Sequence, residues 1–345
     1  MKSVLHIGLD ILSHSRKGLE NGFRQAGFTE YNFLAWQNIR MEYGILATQE
    51  RMITIARKLT PDVIFCQFQN SDILDEETVI ELSKCGFTVN YTYDCRAQEE
   101  MKWYYDLAPF FGLTLFACKE DADEARRLGI NNVGNIHSSC DPEQYLSYSV
   151  RQEVKAKYPE IVFIGSNYEN TNLQFELKRQ RAGMVGFMKN QFGNKFGVFG
   201  MNWVAESKYY NPIDENNIYN TAKISVCHNN FLRTSYTSDR QWRSMACGIA
   251  TVPQYYPGIE ADHIGGLEYA WETVADLDRI CRRLLDNEDE RKDLSVFQHS
   301  SFIAMHTWRH RIDQMKIMIL KILNQVPLSE YVTHFKEIYN GSAEQ

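Results

Sequence analysis

The chain has 345 residues, of which 44% are hydrophobic and 23% charged, a composition that excludes collagen-like, coiled-coil and disordered classes. At about 150 residues per domain, this length predicts two domains. The 44 Asp and Glu outnumber the 37 Lys and Arg, for a net charge of −7, so nucleic acid, which favours basic proteins, is not the expected partner.

The first half of the chain alternates between apolar runs and segments of helical period. Amphipathic helices are predicted at 47–59 and 75–85, the second with Asp75 as its N-cap. Strands that alternate with helices predict a parallel sheet with right-handed crossovers. The predicted strands are 3–7, 62–67, 88–93, 113–117 and 132–136.

A polar, charged stretch within 142–159 predicts a linker, after which a second alternating series begins. Its predicted strands are 161–164, 195–199, 224–227 and 249–253, and its predicted helices are 175–192, 238–247 and 273–285, followed by helical sequence at 300–324 and 328–339. The predicted fold class is therefore α/β, with two tandem Rossmann-like domains at 1–155 and 156–312. A helical tail at 313–345 is expected to cross back and pack on the first domain, and the ligand is expected in the interdomain cleft, outside the carboxyl ends of the strands.

Cysteine spacing and hydropathy indicate the compartment. Eight cysteines occur singly, without a C-x-x-C pair, which favours reduced, buried thiols in a cytoplasmic protein and argues against zinc. The N-terminal apolar run is too short for a signal peptide, and no run of about 18 apolar residues predicts a membrane span.

The strand at 161–164 runs into a Gly-Ser-Asn turn formed by Gly165, Ser166 and Asn167. A turn with bare backbone can approach a phosphate, so these three residues are candidates for binding a phosphorylated donor. The alternative is an ordinary strand-to-loop turn.

The predicted helix at 238–247 is a sharper candidate site. Thr237 or Ser238 can cap it, and Arg240 and Arg243 lie at i,i+3 spacing in its first turns. Two arginines beside the positive end of a helix dipole are unfavourable without an anion, and a pyrophosphate would satisfy both. Tyr236, which precedes the cap, is placed in the same donor site. The alternative is a pair of solvated arginines bonded to surface carboxylates.

Asp94 follows the predicted strand at 88–93, at the rim where ligands of open α/β sheets bind. A carboxylate in a desolvated cleft can accept the proton of an attacking hydroxyl, so Asp94 is the candidate general base. The alternative is a helix cap or an ion pair with Arg96. His6, Gly8 and Arg96 are placed in the acceptor site, and no metal ligand is predicted.

Together these segments resemble the two-Rossmann (GT-B) glycosyltransferases, specifically the branch related to the spore maturation protein CgeB. That branch has a strand ending in Gly-Ser, a strand of small residues, a Ser-x-Arg-x-aromatic helix ending in Ala-Cys-Gly, a Pro-Gly-Ile-Glu loop and a late His-Thr-Trp. The matching segments, in order, are Ile164–Asn167, Phe199–Trp203, Ser238–Gly248, Pro257–Glu260 and His306–Arg311.

The resemblance implies further site residues. In that branch a glutamate stands at the position of Arg243 and binds the donor ribose. Here either Glu260 binds the ribose, or the donor carries extra negative charge, or catalysis is impaired. A second, fainter resemblance is to bacteriophage DNA β-glucosyltransferase, through the segment from Tyr91 to Arg96 and through Arg181, which matches a donor-site arginine.

The resemblance implies a metal-independent glycosyltransferase that uses a nucleotide sugar as substrate and no cofactor. Asp94 would deprotonate the acceptor while Arg240 and Arg181 neutralise the diphosphate leaving group, with inversion at the anomeric carbon. The expected acceptor is a glycan or protein. The alternatives are a hydroxymethylated base in phage DNA, or a non-catalytic protein that binds sugar nucleotides or glycans.

Overall fold

The computed structural model describes residues 1–10, 13–68, 71–95, 101–150, 158–173, 175–203 and 210–325. Arg96 and the predicted helix at 328–339 lie outside these residues. The chain forms two compact units. The first unit contains Met1–Arg16, Gly22–Ile136 and the C-terminal residues from Arg309, and the second contains Lys17–Asn21 and His137–Trp308.

The first unit is built on a parallel sheet with strand order β2-β1-β3-β4-β5-β6. Its strands are β1 (Ser3–Gly8), β2 (Glu30–Ala35), β3 (Val63–Cys66), β4 (Phe87–Tyr91), β5 (Leu113–Phe116) and β6 (Val133–Asn135). Its helices are α1 (Ser13–Gln25), α2 (Trp36–Leu59), α3 (Glu76–Ser83), α4 (Lys102–Leu107) and α5 (Lys119–Arg127). The central strands β3, β4 and β5 are almost wholly buried because helices cover both faces of such a sheet.

The second unit is built on a parallel sheet with strand order β10-β9-β7-β8. Its strands are β7 (Ile161–Ile164), β8 (Phe196–Phe199), β9 (Ile224–Val226) and β10 (Ala250–Val252). Its helices are α6 (Lys178–Phe192), α7 (Pro212–Thr221), α8 (Asp239–Ala246), α9 (Val274–Asp286) and α10 (Glu288–Met305). The predicted α/β class with two parallel-sheet domains is confirmed.

The helix ends follow the capping residues in the sequence. Asp75 accepts a hydrogen bond from the Thr78 amide at the start of α3, as predicted, and Thr273 and Asp276 form a capping box on α9. Helix α2 begins earlier than predicted, at Trp36, and is kinked at Gly44, which has φ 82°. None of the helices in the described ranges is both long and apolar enough to cross a bilayer.

The N-terminal part of the first unit ends at Ile136, before the predicted linker at 142–159, and the charged core of that linker, 151–157, lies outside the described residues. Two asparagines of α7 bind the backbone of the preceding residues, 144–148. Asn216 accepts from the Leu146 amide at 2.9 Å, and Asn220 accepts from the Tyr148 amide at 2.8 Å. Tyr145 is also buried, so this stretch is an integral part of the second unit.

The helix predicted at 300–324 is interrupted. Helix α10 ends at Met305, and a new helix, α11 (Trp308–Leu323), starts after His306 and Thr307. The break coincides with the return of the chain to the first unit at Arg309. Within that unit Lys316 donates to the Ala26 carbonyl at 2.5 Å, and Met318 lies against Gly134, which leaves no room for a Cβ.

Candidate active site

The strand order of the second sheet creates a topological switch point. From β7, the chain moves to β8 on one side and later to β9 on the other. The loops that follow β7 and β9 therefore diverge at the carboxyl edge of the sheet. Open α/β sheets bind ligands at such an edge, and this is where the structure places several of the predicted donor-site residues.

Arg181, in the first turn of α6, bridges the two diverging loops. Its guanidinium donates to the Ser166 carbonyl after β7 at 3.1 Å and to the His228 carbonyl after β9 at 3.3 Å. It also bonds the Asn230 side chain and lies over the Tyr168 ring, 5.5 Å from its centroid. The side chain is only 1% exposed, so a full positive charge is held almost entirely away from bulk water.

Arg240, in the first turn of α8, reaches the same carbonyl as Arg181. Its guanidinium donates to the His228 carbonyl at 3.4 Å. Ser238 caps this helix, as predicted, and accepts from the Arg240 amide at 3.5 Å. The positive end of the α8 dipole and two guanidiniums therefore meet at one point of the site.

No carboxylate of the described residues lies within ion-pair distance of these two arginines, although, against the effect of burial, the charges of Arg243 and Arg240 lower the pKa of the neighbouring Asp239. In the part of the chain that the structure describes, neither Arg181 nor Arg240 forms an ion pair, and the Nε atom of each is buried without a hydrogen-bond partner. Burial, and then the charge of Arg240, lower the pKa of Arg181 to about 9, so it stays charged at neutral pH at an energetic cost. An anion bound here would relieve that cost.

Burial and the charge of Arg181 also lower the pKa of His228, which keeps this imidazole neutral. Its Nδ1 lies 2.5 Å from the Asn229 carbonyl, and its buried Nε2 has no partner among the described residues. His228 is therefore a second buried polar group at this edge whose hydrogen-bonding capacity is not used within the described chain.

A buried polar network fixes the start of α8. The Asn229 side-chain oxygen accepts from the Ser238 backbone amide at 2.9 Å, and the Asn229 backbone amide donates to the Gln254 side-chain oxygen at 2.9 Å. Thr237 donates to Gln241 at 2.8 Å. Sequence reasoning missed Asn229, Asn230 and Gln241, although the polar Cys-His-Asn-Asn segment directly after a buried strand at the sheet edge is a signal that could have found the first two.

The backbone of the Gly-Ser-Asn turn is used differently from the prediction. The Gly165 amide donates to the Phe199 carbonyl at 2.7 Å, and the Asn167 amide donates to the Met201 carbonyl at 2.9 Å. These bonds extend the β7–β8 pairing beyond the strands, so neither amide is available to a phosphate. The contribution of this turn to the site is the Ser166 carbonyl that holds Arg181.

Arg243 also departs from its predicted role, because two carboxylates already neutralise it. Its guanidinium lies 3.0 Å from Glu215 of α7 and also bonds Asp239, and it stacks over the Tyr145 ring. Burial raises the pKa of Glu215, even against the charge of Arg243. One helical turn thus holds two arginines with opposite surroundings, Arg240 without an ion pair and Arg243 with two.

The remaining predicted donor residues lie near α8 but differ in exposure. Tyr236 is buried, with its ring 6.0 Å from that of Phe231. Glu260 is exposed, in a short 3₁₀ helix (Ile259–Asp262) that follows Gly258, which has φ 92°; the adjacent Pro257 carbonyl accepts from the Ser235 amide at 2.7 Å. No contact in the described chain shows which group Glu260 binds.

In the first unit, Asp94 lies three residues beyond the end of β4 and is half-buried, and its amide donates to Thr92 Oγ at 3.2 Å. His6 is buried in β1, and both of its ring nitrogens are already hydrogen bonded, to Tyr31 at 2.7 Å and Gln67 at 2.8 Å. Gly8 leaves room for this ring, since a Cβ there would lie 2.4 Å from His6 Nε2. His6 and Gly8 therefore serve the packing of the sheet, whereas the prediction assigned them to acceptor binding.

Residues 179–316 match the model of a family described as glycosyl transferase-like. The match covers less than half of the chain and includes both Arg181 and Arg240. A search of curated proteins found no match.

The fold is similar to that of several solved structures. HepE from Anabaena, in complex with UDP-glucose, has a TM-score of 0.57 at 9% identity over 94% of this chain and 98% of its own. Sucrose-phosphate synthase from Thermosynechococcus elongatus has a TM-score of 0.58 at 9% identity over 94% and 100%. A glycosyltransferase from Rickettsia africae has a TM-score of 0.57 at 11% identity over 93% and 98%. These similarities establish the two-domain GT-B fold.

Proposed function

We propose that the chain is a glycosyltransferase that moves a sugar from a nucleotide-sugar donor to an acceptor hydroxyl. The observation that carries the proposal is the pair of Arg181 and Arg240 on the His228 carbonyl, with no ion pair to either among the described residues. A diphosphate brings the two negative charges that this pair lacks.

Two further observations support the proposal. The family match spans both arginines, and HepE, which shares the fold, binds UDP-glucose. The donor is therefore proposed to be a nucleoside-diphosphate sugar, with the guanidiniums and the α8 dipole stabilising the leaving diphosphate. Because these groups supply positive charge directly, no metal ion is required at the diphosphate in this proposal.

In the proposed reaction, the acceptor oxygen forms a bond to the anomeric carbon as the bond to the diphosphate oxygen breaks. The electron pair of the broken bond leaves with the nucleoside diphosphate, and Asp94 takes the proton of the acceptor hydroxyl. A single displacement of this kind inverts the anomeric centre. Arg181 and Arg240 act on the leaving group and Asp94 on the nucleophile.

The proposed acceptor is a hydroxyl of a glycan or protein, and the enzyme is proposed to belong to the CgeB-like branch. A hydroxymethylated DNA base is the alternative acceptor. The resemblance of the segment from Tyr91 to Asp94 to phage DNA β-glucosyltransferase favours it, and the net charge of −7 disfavours it. The alternative without catalysis is a sugar-nucleotide-binding protein. The replacement of the branch's glutamate by Arg243 gives this alternative little support, because Glu215 and Asp239 neutralise that side chain.

A panel of nucleotide sugars tests the proposal. The purified protein is incubated with each donor, and slow donor hydrolysis is measured together with the melting temperature in the presence of the bare nucleoside diphosphates. We expect hydrolysis of one donor class and stabilisation by its nucleotide, both reduced in Arg240→Ala and unchanged in Arg179→Ala, which removes an exposed arginine of α6. Stabilisation without turnover of any donor would favour the sugar-nucleotide-binding protein. The absence of both stabilisation and turnover would contradict both the transferase and the binding protein.

A further inference from the structure

A cluster of two cysteines and a carboxylate lies at the carboxyl edge of the first sheet, and the proposed reaction does not use it. Cys95 follows β4, Cys118 follows the adjacent strand β5, and Asp121 lies in the first turn of α5. Their two Sγ atoms and one carboxylate oxygen lie within 4.8 Å of one another. Both cysteines are fully buried, and Asp121 is 7% exposed.

We infer that Cys95, Cys118 and Asp121 form a binding site for one divalent metal ion of the zinc type. Two thiolates and one carboxylate are a donor set that zinc accepts, and sulfur donors select against magnesium and calcium. Among the described residues, this is the group of potential ligand atoms of His, Cys, Asp and Glu that converges to such a distance. Other buried cysteines in the described ranges, such as Cys66 and Cys281, are not part of such a group of ligand atoms.

The separations fit a metal site after a small adjustment. With Zn–S bonds of about 2.3 Å and tetrahedral angles, two sulfur ligands lie about 3.8 Å apart. Donor atoms that are already within 4.8 Å of each other need to approach by no more than about 1 Å for the two sulfurs and about 1.3 Å for a sulfur and the carboxylate oxygen, which rotation of short side chains supplies. Water would complete the coordination.

The three donors are fixed by regular structure. Adjacent parallel strands bring the loops of Cys95 and Cys118 together, and Asp121 is held by the helix that starts directly after Cys118. Because Asp94 immediately precedes Cys95, a metal here would also hold the backbone that carries the proposed base. The metal would be a positioning element, and the site lies wholly within the first unit.

Spacing rules cannot detect this site. Zinc motifs are read from pairs of Cys or His ligands a few residues apart. Here Cys118 and Asp121 are three residues apart, but the second cysteine, Cys95, comes from the end of another strand, across a helix-containing crossover. The absence of a C-x-x-C pair led the sequence analysis to argue against zinc, and that argument does not apply to ligands gathered by the sheet.

Metal content tests the inference without any substrate. The reduced full-length protein, purified without a metal-affinity column, is equilibrated with Zn²⁺, passed into metal-free buffer and measured by mass spectrometry of the metal. We expect one equivalent of zinc in the wild type and in Cys66→Ala, and at least a tenfold loss of affinity in Cys95→Ala and Cys118→Ala. A wild-type protein that retains no more zinc per chain than Cys118→Ala would overturn the inference.

A spectrum of the wild type keeps the test decisive if the variants fail to fold. Co²⁺ added to the reduced protein should give a sulfur-to-metal charge-transfer band that Zn²⁺ abolishes. The absence of that band would contradict the site.

Discussion

Arg181, Arg240 and Arg243 lie in or near one site and differ in what balances their charge. Arg243 has Glu215 and Asp239, whereas Arg181 and Arg240 share a carbonyl oxygen, which offers a hydrogen bond but no full charge. Removing an arginine that pairs with a buried carboxylate destabilises the fold, whereas a buried arginine without an ion pair is suited to binding an anion. The two roles can therefore be separated by measuring stability and ligand affinity in the same variants.

Arg243→Gln should destabilise the protein by about 3 kcal/mol, because it leaves the buried Glu215 carboxylate without its cation. Arg243→Glu should destabilise it further by adding a third carboxylate, although the family pattern alone predicts a gain of donor binding. Urea unfolding measures both. Arg279→Gln, which removes an exposed i,i+3 pair with Asp276, should change stability by less than about 1 kcal/mol. An Arg243→Gln variant as stable as this control would contradict the structural role.

Asp94→Asn should lower the rate of sugar transfer by about 10²–10⁴-fold, because asparagine keeps the size of the side chain but cannot accept the acceptor proton. The affinity for the donor should stay the same. Asp106→Asn, at an exposed carboxylate of α4 that pairs with Lys102, is the control. Full transfer activity in Asp94→Asn, with a melting temperature lowered instead, would mean that Asp94 is a structural residue.

His6 predicts a pH dependence of stability. Burial, opposed by the hydrogen bond to Gln67, lowers its pKa from 6.5 to about 4. Between these values the unfolded chain binds a proton that the folded chain does not, so stability falls as the pH drops. The loss from His6 between pH 7 and pH 5 should be about 2 kcal/mol.

Urea unfolding at the two pH values measures this dependence. It should shrink in His6→Gln and persist in His263→Asn, which changes an exposed histidine. Equal pH dependence in wild type and His6→Gln would contradict the assignment of the effect to His6.

At the scale of elements, the site is formed by the loops after two strands, β7 and β9, and by the first turns of two helices, α6 and α8. The β7–β8 extension fixes the Ser166 carbonyl, and Asn229 fixes the start of α8. Gly200, with φ 142°, makes this extension possible, because a Cβ there would lie 2.4 Å from the Gly165 carbonyl oxygen. Backbone cannot give way as a flexible side chain can.

Gly200→Ala should therefore destabilise the protein by about 2 kcal/mol or more and weaken nucleotide binding, because it displaces the turn that carries Ser166. Gly183→Ala is the matched change. Gly183 lies in α6 with no atom within 4 Å of its added Cβ, so alanine should stabilise the helix by about 0.5–1 kcal/mol. Thermal unfolding compares the two, and a Gly200→Ala variant as stable as wild type would contradict this account of the turn.

At the scale of the whole molecule, the fold was readable from the sequence because buried strands and capped helices alternate with their own periodicity. Local sequence alone predicts Asp75 as a cap and offers Thr237 or Ser238 for α8, of which the structure uses Ser238. The site was only partly readable. Arg240 was found through its helix, but Glu215, which neutralises Arg243, lies on a different helix, and no local pattern links the two.

The same limit explains the other differences. The predicted phosphate turn depended on backbone amides whose partners come from the next strand, and no local pattern links residues 146 and 148 to the two asparagines of α7 that bind them. Cys95 and Cys118 became neighbours through the sheet. The partners of charged side chains and of backbone amides depend on which segments meet in the tertiary structure, and local sequence patterns do not contain that information.

The central claim is that Arg181 and Arg240 bind the diphosphate of a nucleotide sugar, and calorimetric titration with UDP and GDP tests it most directly. Wild type should bind at least one of them, and Arg240→Ala should lose about 1.5–3 kcal/mol, or roughly 10- to 150-fold in affinity. Arg179→Ala should bind as wild type does. Equal affinity in Arg240→Ala and wild type, with the melting temperature unchanged, would contradict the account, as would a wild type that binds neither nucleotide.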